Sequence, residues 1–381
     1  MSAAARSRRA RTWLWGLLGG FAALSVFGLL HHEPWRDEAQ AWLIARDCPD
    51  LACVLQTAGY EGHPVLWHLV LRPLARVGLP FSSAKLVHLL IVLAAVFLFL
   101  RNAPLARHQK ALFVCGYFVA YEYTLLVRNY ALCVLALFAI ASSHPDRFRK
   151  PVRYALLLAL LANTALYGLV VALVLAAVYA LDLRRSAPAI RRGRLAAAAA
   201  LVAAGCTLCA WQLWPPADVL PPTAHTGQIK NSLFNFSLSQ GHFSVVSKAL
   251  VGAFLPVPLD GPHFWNTRMA YAPLQDAGWL EGFPAWMRWA WGTLIVCPAL
   301  VSVAMIARRT VPVLGYLASS LALLSVFFLV YEGGARHHGF IFMLFVFWWW
   351  VGGGYGENRW ARTPWARRWL GYKACGRLMT G

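Results

Sequence analysis

HHEPWRDEAQAWLIARD, residues 31–47, follows directly on an uncharged apolar run, 12–30. Glu33, Asp37 and Glu38 therefore stand at the mouth of the first apolar segment. Charge beside hydrocarbon is costly, so such a cluster calls for a reason, and the reason depends on which side of a membrane it faces. The chain has 381 residues, 59% hydrophobic and only 13% charged. Soluble domains carry about 25% charged residues, and here the apolar residues come in blocks near the ~20 needed to cross a bilayer. These features predict an all-α polytopic membrane protein.

The formal net charge of +20 is not spread evenly. The short segments 1–11, 101–110, 143–153, 183–194, 307–310 and 355–381 hold 24 of the 35 Lys and Arg, but of the 15 acids only Asp146 and Glu357, with Asp182 at the edge of one. That segregation is a positive-inside signature, which orients helices, and not a nucleic-acid surface. The N-terminal RSRRAR followed by 12–30 mimics a signal peptide. Its apolar run is long and no small-residue cleavage site follows, so it reads as an uncleaved anchor. Cys206 and Cys209 form C-x-x-C inside an apolar helix, which argues against redox work. Cys48 and Cys53 are close enough for a local disulfide, and the sequence leaves that open.

With basic segments inside, 12–30 crosses outward, 31–81 forms a first outer loop and 82–100 returns. Within that loop 63–79 reads as an amphipathic helix on the surface, because it carries Arg72 and Arg76. The stretch 111–142 has basic flanks on both sides, so it must go out and come back, turning near YEYTLLVRNY. The same holds for 153–182, turning near Asn163, Thr164, Tyr167 and Gly168. Each arm is then about 15 residues, or about 22 Å, short of the ~30 Å hydrocarbon. Short arms place the hairpin tips in a basin below the outer surface. Residues 195–214 then cross outward, 215–287 form a second outer loop with a candidate amphipathic helix at 244–254, and 288–306, 311–331 and 337–354 complete the path. The expectation is about ten crossings with both termini cytoplasmic. It divides the chain into an N-terminal module at 1–214 containing the first loop, the second loop at 215–287, and C-terminal helices with a basic tail at 288–381.

This threading places Lys85, Arg128, Arg336, His337 and His338 at outer ends of spans, against the positive-inside trend. An anionic phosphate is the natural ligand for arginine at that depth. The outer basin thus has carboxylates in one half and cations in the other. Sugar transfer from a lipid phosphate needs that division. The departing phosphate wants cationic stabilisation, and the acceptor hydroxyl wants one carboxylate as general base. A glycosidase would instead need a second carboxylic acid to protonate its leaving group.

WRDEAQAWLIARD resembles the Asp-Glu motif in the first outer loop of GT-C-fold glycosyltransferases, such as protein O-mannosyltransferases and lipid A aminoarabinose transferases. YEGHPVLWHLVL at 60–71 is similar to their G-x-P-P-L-type helix entry, and RNYAL at 128–132 to their Arg/Tyr helix start. GGARHHGFIFML at 333–344 is similar to their late Arg segment, although its proline is missing. The likeness covers roughly 12–180 and the region of Arg336. It implies a GT-C-like bundle with outer-face amphipathic helices, a polyprenyl-phosphate sugar donor and an envelope glycan, glycolipid or protein acceptor. It also implies that Asp37 is the catalytic base and Glu38 its partner.

The remaining candidates follow from position. Glu33, Glu61 and His63 are expected at the acceptor, although Glu61 and His63 equally suit a cap and turn. Arg128, Arg336, His337, His338 and Lys85 are expected at the donor phosphate, although Lys85 equally suits snorkelling. Glu122, six residues before Arg128, would lie on the opposite face of one helix but could pair with it across a turn, as a structural or orienting residue. No metal-ligand spacing is present; a divalent cation is compatible with the reading but not required by it. FWWWV and WMRWAW read as interface belts. The expected setting is an integral inner or plasma membrane. Two rival readings remain: a transporter, which calls for ionisable residues at mid-membrane depth, and an O-antigen polymerase or ligase, which calls for Arg and His in a large late loop.

Overall fold

The computed structural model describes residues 3–186, 188–214, 216, 240–256, 297–331 and 333–358. Among them every regular element is helical. Helix α1 (Ala3–His31) leads through Pro34 into α2 (Arg36–Asp47), α3 (Leu51–Glu61) and α4 (Leu66–Arg76). Helix α5 (Ser82–Asn102) follows, then α6 (Arg107–Val114), a π-helical turn (Phe118–Glu122) and the single turn α7 (Tyr123–Leu125). The chain continues through α8 (Tyr130–Ser143), α9 (Pro151–Ala162), α10 (Leu166–Ser186), α11 (Arg192–Leu213) and α12 (Gln240–Phe254). Helix α13 is described over Cys297–Ile306, and α14 (Thr310–Leu329) and α15 (Ala335–Gly352) close the bundle.

Among the described residues five helices are long and apolar enough to cross a membrane: α1 from Arg8 onward, α5, α10, α11 and α14. The helix covering Tyr130–Asp146, α9 and the described part of α13 are apolar but shorter. This is a helical membrane protein. Most of the second loop and the basic tail lie outside the described residues, as do Lys230, Arg268 and Arg288.

The apolar sequence packs as its periodicity demands. Helix α4 buries Trp67, His68, Leu71 and Ala75 along one stripe and turns Leu69 out. It packs on α2, and Arg72 donates to the carbonyls of Cys48 and Pro49 at 2.9 and 3.0 Å, capping the end of α2. Cys48 and Cys53 are joined in a disulfide beside that cap. Helix α3 starts on Asp50, whose carboxylate accepts the Cys53 N–H at 2.8 Å, and stops at Gly62, whose φ of 65° suits a residue without a Cβ.

The chain does break where turns were expected. It leaves helix between Leu125 and Tyr130, and again between Ala162 and Leu166. Asn129 donates to the carbonyl of Thr164 at 2.6 Å, joining the two breaks. Asn163 donates to the Gly205 carbonyl at 2.9 Å, and Gln212 joins Asn163 to the Val65 N–H. One end of the bundle is thereby tied by amides. The opposite end collects ions: Arg147 meets Asp182 at 3.1 Å, and Tyr355 donates to the same carboxylate at 2.6 Å.

Helix α15 is buried along most of its length and packs on α8, α12 and α14. Its approach to the π-helical turn depends on Gly339, where a Cβ would run into the Phe118 ring and the Tyr123 hydroxyl. Overpacking of this kind costs about 1–3 kcal/mol. Gly339→Ala should therefore lower the unfolding midpoint in detergent by several degrees. Gly16→Ala, with nothing within 4 Å of the added methyl, should leave it unchanged or slightly raised. Equal midpoints for the two variants would contradict this packing.

Candidate functional site

Asp37 and Glu38 occupy the first turn of α2, where the helix dipole favours carboxylates. Their side chains serve different ends. Glu38 is 1% exposed. One oxygen accepts the Trp35 N–H at 2.7 Å and His32 Nε2 at 2.8 Å; the other accepts the Val127 N–H at 2.5 Å. A carboxylate so filled and sealed holds structure and does not meet substrate. Glu38, expected as the partner that orients Asp37, is held by these three contacts and makes none with the Asp37 side chain among the described residues.

Asp37 is one-quarter exposed and lies 3.6 Å from Arg336 Nη2 and 3.6 Å from Arg36 Nε. Arg128, almost fully buried, donates through Nη1 to the backbone carbonyl of Asp37. Residues 37, 128 and 336, from three distant parts of the chain, thus meet at one place. The Glu38 contact to Val127 explains how, because it fixes the residue preceding Arg128 against the start of α2.

Arg336 is positioned from several sides. Its guanidinium lies 4.1 Å from the centre of the Trp35 ring, and its carbonyl accepts from the Tyr123 hydroxyl at 2.8 Å. The Tyr130 hydroxyl is within hydrogen-bonding reach of the guanidinium. Arg336 Nε is buried with no partner among the described residues. A stacked arginine with a spare donor beside a carboxylate is equipped to receive an anion.

The neighbouring histidines do other work. The Gly334 N–H donates to His337 Nδ1 at 2.9 Å, which leaves the ring proton on Nε2, and Nε2 donates to Tyr130 at 2.8 Å. His338 is buried, its ring set edge-on against Phe327 at 5.0 Å. Both were expected on a phosphate, and both are buried beside protein groups. Lys85 donates to the carbonyls of Leu29 and His32 at 2.8 and 2.6 Å, capping α1. Its ammonium is committed to a helix end.

Glu122 accepts from the Tyr117 hydroxyl at 2.7 Å and is buried, and no ion pair joins it to Arg128 among the described residues. Glu33 is exposed and makes no ion pair among the described residues. Glu61 meets His68 at 3.3 Å. His63 follows Gly62, and its Nδ1 is sealed without a described partner. Burial pushes its imidazole down to about 3, and the positive charges of Arg128 and Arg336 push the same way. His63 is therefore neutral at physiological pH and shares the field of the two arginines.

Trp35, Tyr130, His68 and Tyr117 enter the site without having been singled out as site residues. Two of them stood in quoted motifs, Trp35 beside Asp37 and Tyr130 two residues after Arg128. Among the described residues no group of three metal-binding side chains occurs. An apolar cavity of about 180 Å³ lies between α6, α12 and α15, with Tyr117 in its wall. Against known protein families, curated proteins and solved structures, the chain finds no match.

Two measurements separate these roles. Glu38→Ala strands two backbone donors, each worth about 1–3 kcal/mol when buried and unpaired, and should sharply lower the unfolding midpoint. Asp37→Asn, at a partly exposed pair, should cost less than about 1 kcal/mol. The second measurement is a pH series. His63 has a folded-state value of about 3 against 6.5 when unfolded. Protons thus favour the unfolded chain, and stability present above pH 6.5 is lost as pH falls towards 3. The slope is at most about 1.4 kcal/mol per pH unit for one proton. His63→Gln should flatten the decline below pH 6.5; an unchanged slope would place His63 outside this enclosed field.

Proposed function

We propose that this protein is a membrane glycosyltransferase of GT-C type that moves a sugar from a polyprenyl-phosphate donor to an acceptor hydroxyl at the outer face of an inner or plasma membrane. One observation carries the reading: the Asp37 carboxylate lies 3.6 Å from Arg336, with Arg128 bound to the same residue's carbonyl. A base and a pair of cations occupy one site at the ends of apolar helices. The motif resemblance agrees with it. The Cys48–Cys53 disulfide agrees with an oxidising compartment for the first loop.

In this mechanism Asp37 accepts the proton of the acceptor hydroxyl. The acceptor oxygen forms a bond to the anomeric carbon as the carbon–oxygen bond to phosphate breaks. The phosphate departs with the electron pair, and Arg128 and Arg336 receive its negative charge. Trp35 supports the Arg336 guanidinium over the face of its ring. Neutral His63 adds a polar atom without adding charge, which suits hydroxyl contacts. The apolar cavity with Tyr117 in its wall offers room for part of a lipid chain, and Tyr117 donates to Glu122.

A transporter would want ionisable groups midway along the spans. Here the described ionic contacts gather at the two ends, as Asp37–Arg336 and Arg147–Asp182 do, which favours the enzyme. The polymerase or ligase reading would move the key cations to the second outer loop.

The test compares envelope glycans and glycolipids by mass spectrometry in cells with and without the protein, then in cells carrying variants. Loss of one sugar, restored by the wild-type chain and not by Asp37→Asn, is the expected result. Removing a general base costs about 10²–10⁴-fold in rate. Arg336→Lys should fall between, because an ammonium keeps the charge but loses the planar fork. Full transfer by Asp37→Asn together with loss in Arg268→Ala would favour the ligase reading, and unchanged products without the protein would remove the enzyme reading.

A further inference from the structure

At the end of the bundle opposite Asp37, a polar cavity of about 170 Å³ lies where α5, α8 and α9 come together. Its wall carries Lys150 and Arg153 with Asn102, Ser142 and Ser143, and one acid, Asp146. Asp146 lies 3.7 Å from Arg149, an exposed pair that offsets its charge. The net field facing the cavity is positive. The cavity also adjoins the start of α9, which begins with Pro151 and has no side-chain cap. The first amides of a helix lack intrahelical acceptors and carry the positive end of its dipole. Asn102 donates to the Ser142 hydroxyl at 3.2 Å, so amide and hydroxyls are held together at the rim.

Two cations, the Ser143 hydroxyl and the Asn102 amide around one concavity suit a set of phosphate oxygens, while the Ser142 hydroxyl donates to the Phe138 carbonyl and holds Asn102 in place. Helix lengths indicate where the phosphate comes from. Helix α8 has 14 residues and α9 has 12. At 1.5 Å per residue they reach about 21 and 18 Å, well short of the ~30 Å hydrocarbon. A bilayer accommodates short helices by thinning, which brings its headgroups down to the helix ends. The charge pattern places this turn on the cytoplasmic side, where anionic lipids are met.

We infer that this cavity binds a phosphate-bearing anion, supplied by the headgroup of an anionic membrane lipid. The bound phosphate would bridge Lys150 and Arg153 and fasten the turn between α8 and α9 to the leaflet. Since α8 starts two residues after Arg128, the lipid would hold the same helix whose other end builds the Asp37 site. The inference does not depend on glycosyl transfer.

The test uses the purified full chain in detergent and native mass spectrometry. Dioleoyl phosphatidylglycerol, dioleoyl phosphatidylcholine and inorganic phosphate are titrated separately. Phosphatidylglycerol should bind about tenfold or more tightly than phosphatidylcholine, and Lys150→Ala with Arg153→Ala should lose about tenfold of that affinity. Arg184→Ala with Arg185→Ala removes the same charge at exposed positions outside the cavity and should change affinity less than about twofold. Unfolding midpoints verify that each variant is folded, and Arg153→Gln alone serves as the milder variant. Equal losses in the two double variants would show diffuse electrostatics and overturn the site. No preference for phosphatidylglycerol would overturn it as well. Inorganic phosphate binding as tightly as the lipid and displacing it would reject the lipid as the source and assign the cavity to a soluble phosphate.

Discussion

The arrangement at the Asp37 end rests on one buried carboxylate. Glu38 accepts the Val127 N–H from 89 residues away while also holding Trp35 and His32. A buried carboxylate left unpaired is costly, so these contacts are mutually enforcing. Through them the first turn of α2 is fixed against the break that precedes α8. Asp37, one residue earlier, is then presented to Arg128 and Arg336 without contributing to its own placement. The buried carboxylate of Glu38 and the partly exposed carboxylate of Asp37 are thus sequence neighbours in different surroundings.

The second constraint is length. The hairpin arms α8 and α9 are too short to span hydrocarbon unaided. Their ends carry backbone groups that must be satisfied within the protein. At one end Asn129 and Asn163 donate to carbonyls of neighbouring segments, and Gln212 donates to the Asn163 side chain while accepting the Val65 N–H. Arg147, Asp182 and Tyr355 form an ionic knot at the other. The amides give a neutral scaffold beside Arg128, so the cations of the site are not drained into structural pairs.

Much of this was legible in the sequence because membrane helices announce themselves through composition and charge placement. The break near Arg128, the break near Asn163 and the surface character of α4 follow from apolar periodicity and arm length. So does the notion that Asp37, Arg128 and Arg336 belong together, since each is a charge at the end of an apolar run. What could not be read was how each side chain is turned. Glu38 looked equivalent to Asp37, because its decisive partner is a backbone N–H, which no residue letter reveals. His337 and His338 looked like cations for a ligand. Their partners, Tyr130 with the Gly334 N–H and the Phe327 ring, are set by the rotation of α15. Lys85 was ambiguous for the same reason, since carbonyls at the end of α1 compete with any ligand. Among the described residues five helices have the length and composition to cross by themselves, and others, such as α9, are apolar but shorter.

The most direct measurement is a proximity assay between positions 37 and 336. Cysteines are introduced there in a chain whose free cysteines have been replaced and which carries a protease site in the 217–239 segment. A short bismaleimide is added to native membranes, and the chain is then cleaved and denatured. The contact at 3.6 Å between Asp37 and Arg336 requires the two fragments to remain joined. Fragments that separate cleanly, in a protein that is otherwise folded, would mean that carboxylate and arginine do not share a site.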